Sequence, residues 1–174
     1  MKVKKELIAV IGVDKAGKTT LIRERFGEKM ENIHAAPLMR KLPVTDNKTW
    51  LKIREVLFAF DRAKQYIKLR FNKVTLLDRC YIDAVVYGRY LSQKYNVPSL
   101  KKISRWFIWI SPHPHVVFLL CPDPAKMVEV DDRYDDILAF NQYYRSTLFE
   151  LGYEGIEIET YALGEIEIYA RKIE

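Results

Sequence analysis

Gly12-Val13-Asp14-Lys15-Ala16-Gly17-Lys18-Thr19 decides the reading of this chain: it fits G-x-x-x-x-G-K-[ST] and stands between a strand-like run and a helix-like one. Upstream, Leu7-Ile8-Ala9-Val10-Ile11 is a short continuous apolar run of the kind expected of a strand covered on both faces. Downstream, Lys18 to Phe26 has helical composition and Gly27 is a natural stop. Gly12 and Gly17 let the backbone wrap so that successive N–H groups and the helix N-terminus face an anion. Lys18 adds a mobile positive charge, and the Thr19 hydroxyl is a magnesium ligand type. In its strand-loop-helix setting the pattern predicts a nucleoside triphosphate site rather than an ordinary glycine-rich turn.

Working outward, strands and helices alternate. Asn32 to Ala36 is a weak strand before Pro37. From Asn47 to Phe71 the residues Trp50, Ile53, Val56, Leu57, Phe60, Ala63 and Ile67 recur at helical spacing, with Thr45, Asp46 or Asn47 as N-cap. Lys73 to Asp78 reads as a buried strand entering a helix from about Tyr81 to Tyr95. Ser99 to Ile110 is an aromatic-rich helix, and His115 to Cys121 a buried strand stopped by Pro122. Asp135 to Leu151 is helical with Gly152 as cap, Gly155 to Thr160 alternates as a strand, and Leu163 to Ile173 is expected to close the chain as a short helix. The pattern predicts an α/β fold: a three-layer αβα arrangement with a five-stranded parallel sheet, in one domain over residues 1–174. Sites in such sheets lie beyond the carboxyl ends of the strands, here after residues 11, 36, 78 and 121.

Composition narrows the class. With 174 residues, 49% of them hydrophobic, the chain can bury a real core, which excludes disorder. The net charge of +6 conceals a division. Met1 to Pro122 carries 24 basic and 10 acidic residues, whereas Asp123 to Glu174 carries five and 13. A polyanionic ligand suits the first portion, yet no long Lys/Arg run or aromatic-interleaved basic strip points to nucleic acid. No apolar run reaches the roughly 18 residues of a membrane span, so a cytoplasmic-type protein without a membrane partner is expected. Cys80 and Cys121 have no metal-like spacing and read as core residues; His113 and His115, in Pro-His-Pro-His, read as a turn before a strand.

The end of the strand before residue 79 carries Asp78-Arg79. A carboxylate beside the phosphate loop can hold a magnesium shell, and a neighbouring guanidinium can neutralise transferring phosphate. With these residues the chain resembles the thymidylate kinase family of P-loop nucleoside monophosphate kinases over nearly its whole length. The shared elements are Gly12 to Thr20, Leu57-Phe58-Ala59-Phe60-Asp61-Arg62, Asp78-Arg79-Cys80-Tyr81, and Cys121-Pro122-Asp123-Pro124 followed by Asp132-Arg133-Tyr134-Asp135.

The resemblance implies transfer of the γ-phosphate of ATP, with Mg²⁺, onto a nucleoside monophosphate, dTMP first, by a homodimeric enzyme. It implies that Gly12, Val13, Asp14, Lys15, Ala16, Gly17, Lys18, Thr19 and Thr20 hold the donor, and that Thr19 and Asp78 hold the metal. Lys15, Lys18, Asp78, Arg79 and Arg133 would act on the transferring phosphate. Asp14 would meet the acceptor sugar, Phe58 and Arg62 its base, Arg79 and Arg40 its phosphate, and Tyr87 its deoxyribose. Residues from about 123 to 136 would form a short lid.

The chain also departs from the family pattern. Lys15 replaces the commoner arginine and loses its bidentate fork. Cys80 replaces an aromatic or histidine, Asp83 stands where a small hydroxyl residue is usual, and the lid stretch is strongly acidic. Arg40 is the candidate in a region lacking the usual Pro-x-Arg-x-Thr stretch. Two alternatives follow: a deoxynucleoside kinase that phosphorylates a sugar hydroxyl, and a catalytically weak, nucleotide-dependent binding protein.

Overall fold

Three short runs with almost no polar residues form the middle of the sheet because each is covered on both faces. They are β1 (Leu7–Gly12), β3 (Thr75–Asp78) and β4 (Val116–Pro122). The structure, a computed structural model, describes residues 7–27, 32–34, 47–57, 75–127 and 137–172. β1 pairs in parallel with β3 on one side and β4 on the other, placing Val10 opposite both Asp78 and Phe118. β2 (Asn32–His34) adds in parallel beyond β3. This register brings the ends of β1 and β3 to one edge, and the Arg79 N–H donates to the Val10 carbonyl at 2.9 Å, tying the two exits together.

The expected five-stranded parallel sheet is corrected on two points. Among the described residues the sheet has six strands, in the order β2-β3-β1-β4-β6-β5, and it is mixed. β5 (Tyr153–Tyr161) and β6 (Gly164–Arg171) form an antiparallel hairpin, and β6 runs antiparallel to β4. The stretch from Leu163 to Ile173, expected as a helix, is thus a strand over Gly164–Arg171. Tyr161 pairs with Gly164, leaving two residues for the turn; so short a link can only reverse the chain, whereas a parallel neighbour needs a crossover. Alternating Glu165-Ile166-Glu167-Ile168-Tyr169 then matches the strand period and outweighs the helix propensity of Glu, Ala and Arg.

Helices cover both faces. Phe26, ending α1 (Lys18–Phe26), meets Phe118 edge-to-face at 5.5 Å. Arg145 of α6 (Ile137–Glu150) instead binds Glu167, whose partner in register is Leu119, next to Phe118 and therefore on the other face. α3 (Tyr81–Lys94) packs beside α6, Tyr87 and Tyr90 both meeting the ring of Phe140. α4 (Pro98–Ile110) lies on α3 so closely that a Cβ at Gly88 would overlap Ser104. The helix expected over residues 47–71 begins where Asn47 Oδ1 accepts the N–H groups of Thr49 and Trp50; it is described over residues 48–57 (α2), and its remainder lies outside the described residues. Leu51 joins it to Leu91, Val97 and Leu100 in a small second core.

Cys80 and Cys121 are buried and in no disulfide, and burial, then the Glu167 carboxylate, pushes Cys121 up to about 12. In the Pro-rich turn, His115 Nδ1 accepts the Leu7 N–H at 3.1 Å, and His113 Nδ1 lies 2.5 Å from the Tyr81 hydroxyl. Trp106 and Trp109 of α4 are exposed, at 74% and 87%. Among the described residues no helix is long and apolar enough to cross a membrane.

Glu55 of α2 is buried, and its Oε2 makes no hydrogen bond among the described residues; burial raises its carboxyl to about 7, with Arg54 opposing. An acid whose folded pKa exceeds its unfolded value stabilises the fold fully only below the unfolded value, and that contribution is lost as pH rises through about 7. Wild type should therefore lose about 3 kcal/mol between pH 4.5 and 8 from this group, and Glu55→Gln should flatten the profile and be the more stable at pH 8. Urea titrations at four pH values check this; parallel profiles for the two proteins would refute it.

Candidate functional site

The turn after β1 takes its shape from two glycines. Gly12 has φ 137°, and a Cβ there would stand 2.7 Å from the Leu120 carbonyl oxygen, so only glycine lets β1 leave the sheet beside β4. Gly17, at φ 87°, precedes α1 as its N-cap and accepts the Leu21 N–H at 2.9 Å. Two basic residues share this left-handed backbone region without being glycine: Lys15 at φ 61° and Arg79 at φ 71°. Such conformations cost energy and persist where surrounding contacts enforce them.

These exits enclose a cleft of about 340 Å³ lined by Asp14, Lys15, Gly17, Lys18, Thr19, Thr20, Asp78 and Arg79. Lys15, Thr19 and Thr20 are exposed in it; Lys18 and Asp78 are buried. The Lys18 ammonium donates to the carbonyl oxygens of Gly12, at 3.0 Å, and Val13. Burial pulls its pKa below the usual lysine value, while Asp83 and Asp78 work against that pull. Arg79 forms an ion pair with Asp14, and its guanidinium lies 6.0 Å from the centre of the Tyr87 ring. Burial opposes the Arg79 charge, but Tyr87, Asp83 and Tyr144 outweigh it and hold the group protonated.

The sequence-predicted residues thus divide cleanly. Gly12, Val13, Asp14, Lys15, Ala16, Gly17, Lys18, Thr19, Thr20, Asp78, Arg79 and Tyr87 converge at the ends of β1 and β3. Arg40, Phe58, Arg62 and Arg133 lie outside the described residues, as does most of the expected lid. The described start of that lid is α5 (Pro124–Met127), with Asp123 Oδ1 accepting the Ala125 N–H at 3.0 Å.

Two residues at this site escaped the sequence reading of their position. Asp83 sits within the fold rather than in the cleft. Its Oδ2 accepts the Cys80 N–H and its Oδ1 the Tyr144 hydroxyl, both at 2.8 Å, so it caps α3 and anchors α6. Its place three residues after Cys80, at the position of a capping-box acid, was the available signal. Tyr161, at the end of β5, donates its hydroxyl to the Ala16 carbonyl at 2.9 Å; no local pattern links residues 145 apart.

A strand-loop-helix anion cradle with a lysine and a facing Asp-Arg pair defines a P-loop protein, the class of chains whose backbone amides hold phosphate. The AAA domain family AAA_28 matches residues 7–164, and the chain belongs to that family. Sequence comparison with curated proteins finds no match. Among solved structures, thymidylate kinase from Candida albicans is similar with a TM-score of 0.58 at 16% identity, over 85% of this chain and 78% of that one. The NadR protein in complex with NR gives 0.59 at 15% identity, over 86% of this chain but 41% of that one, so this chain spans less than half its length. At these identities the likeness shows the fold alone.

Asp83→Asn should destabilise the protein by about 2–3 kcal/mol, because an amide cannot accept from both Cys80 N–H and Tyr144 while balancing Lys18 and Arg79. Tyr144→Phe, which removes one donor, should cost about 1 kcal/mol. Chemical denaturation of both variants tests this, and equal, negligible losses would contradict it.

Proposed function

We propose that this protein is a magnesium-dependent kinase that transfers the γ-phosphate of ATP to a deoxynucleoside monophosphate, dTMP first. The observation that carries the reading is the convergence of Lys18, Thr19, Asp78 and Arg79, from two strand ends, on one cleft at the mouth of the phosphate loop. The likeness to a thymidylate kinase fold supports it.

In this reading residues 12–20 bind the donor triphosphate through their backbone amides, and Lys18 leaves the carbonyls of Gly12 and Val13 to meet phosphate oxygen. Thr19 and Asp78 fit a divalent cation, being a hydroxyl and a carboxylate across one cleft; the bound ion supplies neutralisation of phosphate charge. Arg79 exchanges Asp14 for the acceptor phosphate, and Asp14, so released, is free to receive a sugar hydroxyl. Tyr87, beside Arg79, flanks the sugar. An acceptor phosphate oxygen attacks the γ-phosphorus in line, the bond to the β-phosphate oxygen breaks, and ADP leaves. Lys15, exposed at the lip, reaches the transferring group as a point charge. Arg40, Phe58, Arg62 and Arg133 complete the proposal on the acceptor and lid sides, within one domain over residues 1–174 with its lid at about 123–136. Homodimerisation belongs to the same reading, and the exposed Trp106 and Trp109 offer it apolar area.

A second reading, phosphorylation of a nucleoside hydroxyl, is favoured by one feature: Asp14 already pairs with Arg79, so the acceptor side is less positive than its basic residues suggest.

A coupled ADP-release assay across dTMP, dUMP, other monophosphates and thymidine separates these readings. The expected result is fastest turnover with dTMP, reduced at least about 100-fold by Lys18→Ala with the circular dichroism spectrum unchanged. Turnover with thymidine alone would establish the second reading. No turnover with any acceptor would remove both.

A further inference from the structure

We propose that Tyr161 is a positioning residue of the phosphate loop, presetting the Ala16–Gly17 peptide for a bound phosphate; this deepens the reading of the cleft as a nucleoside triphosphate site and rests on it. Tyr161 donates to the Ala16 carbonyl at 2.9 Å, and its hydroxyl lies so near Gly17 that any Cβ there would overlap it. Every described peptide bond is trans, so the carbonyl and the N–H lie in one plane and point in opposite directions across the C–N bond. A hydroxyl that holds the Ala16 carbonyl outward therefore also fixes the direction of the Gly17 N–H, one of the amides bordering the cleft. The neighbouring Lys15 has a positive φ, so this segment is one that needs outside contacts to keep its shape.

The residues around Tyr161 are held by α1 on one side and by the chain leaving β4 on the other. Glu159, two residues before it on β5, accepts from Arg25 of α1 at 2.7 and 2.6 Å. Leu163, in the turn after it, accepts the Asp123 N–H at 2.8 Å, and the Ala162 carbonyl accepts from Lys126 at 3.4 Å. The tip of the β5–β6 hairpin thereby spans the phosphate loop and the chain leaving β4. A helix after β5 would not deliver Tyr161 to this place; the two-residue turn does.

Isothermal titration with AMP, ADP and a non-hydrolysable ATP analogue, each with Mg²⁺, on wild type and Tyr161→Phe tests the proposal. The variant keeps the ring and removes only the hydroxyl. The expected result is binding of ADP and the ATP analogue about three- to tenfold weaker, with AMP affinity and the KM for the phosphate acceptor unchanged and the thermal midpoint shifted by only a few degrees. Equal affinities for the two proteins would overturn the role of Tyr161 while leaving the triphosphate site standing. A uniform loss across AMP, ADP, ATP analogue and acceptor would also overturn it, since that marks a general structural role. A wild-type protein that binds none of the three nucleotides would overturn the triphosphate reading, and this proposal with it.

Discussion

A lysine ammonium buried under a loop must be surrounded by groups that replace water, and around Lys18 this need organises much of the molecule. The carbonyls of Gly12 and Val13 accept its protons, and Asp78 and Asp83 supply negative charge. Asp78 reaches it only because β3 lies beside β1 in parallel register. Asp83 acts on it through its charge because α3 begins soon after β3, while its carboxylate takes the Cys80 N–H and the Tyr144 hydroxyl from α6. One buried charge thus links the central strands, the helix that follows them and a helix from the last third of the chain. Arg79 repeats the arrangement half-buried beside the cleft, with Asp14 on one side and Tyr87 on the other. Both cations are thus balanced by oxygen atoms of the protein itself.

The charge division along the chain acquires a location. Glu154, Glu157, Glu159, Glu165 and Glu167, five of the 13 acidic residues after residue 122, lie on the β5–β6 hairpin. Two of them face cations from helices on opposite faces of the sheet: Glu159 meets Arg25 of α1 and Glu167 meets Arg145 of α6. Glu167, buried against Arg145 and Tyr169, is driven up by burial but held below the usual carboxylate range by those two hydrogen bonds. Both cations are solvent-exposed and only Glu167 is buried, so these pairs fix geometry more than they add stability. Here they seat the hairpin whose tip touches the phosphate loop.

Legibility followed the range of the interactions. The loop from Gly12 to Thr19 could be read because cradling phosphate demands particular residues at particular spacings within eight positions. Asp78-Arg79 could be read because a parallel sheet sends chemistry to its strand ends. Helix ends at Gly27 and Gly152 and the cap at Asn47 are equally local. β6 has the composition of a helix because Glu, Ala, Arg and Lys suit helices in isolation, and only pairing with β4 and β5 forces the strand. Asp83 was noticed as unusual, yet its inward role depends on Tyr144, 61 residues away. Tyr161 gave no signal at all, since its partner is a backbone carbonyl, which no side-chain pattern marks.

The central proposal is that this loop is a triphosphate cradle in which Lys18 serves the phosphate oxygens. A crystal structure with Mg²⁺ and a non-hydrolysable ATP analogue tests it most directly. The expected result is a phosphate chain wrapped by residues 12–20, with Lys18 Nζ moved from the Gly12 and Val13 carbonyls to phosphate oxygen. A nucleotide bound elsewhere, with Lys18 still on those carbonyls at saturating concentration, would contradict it.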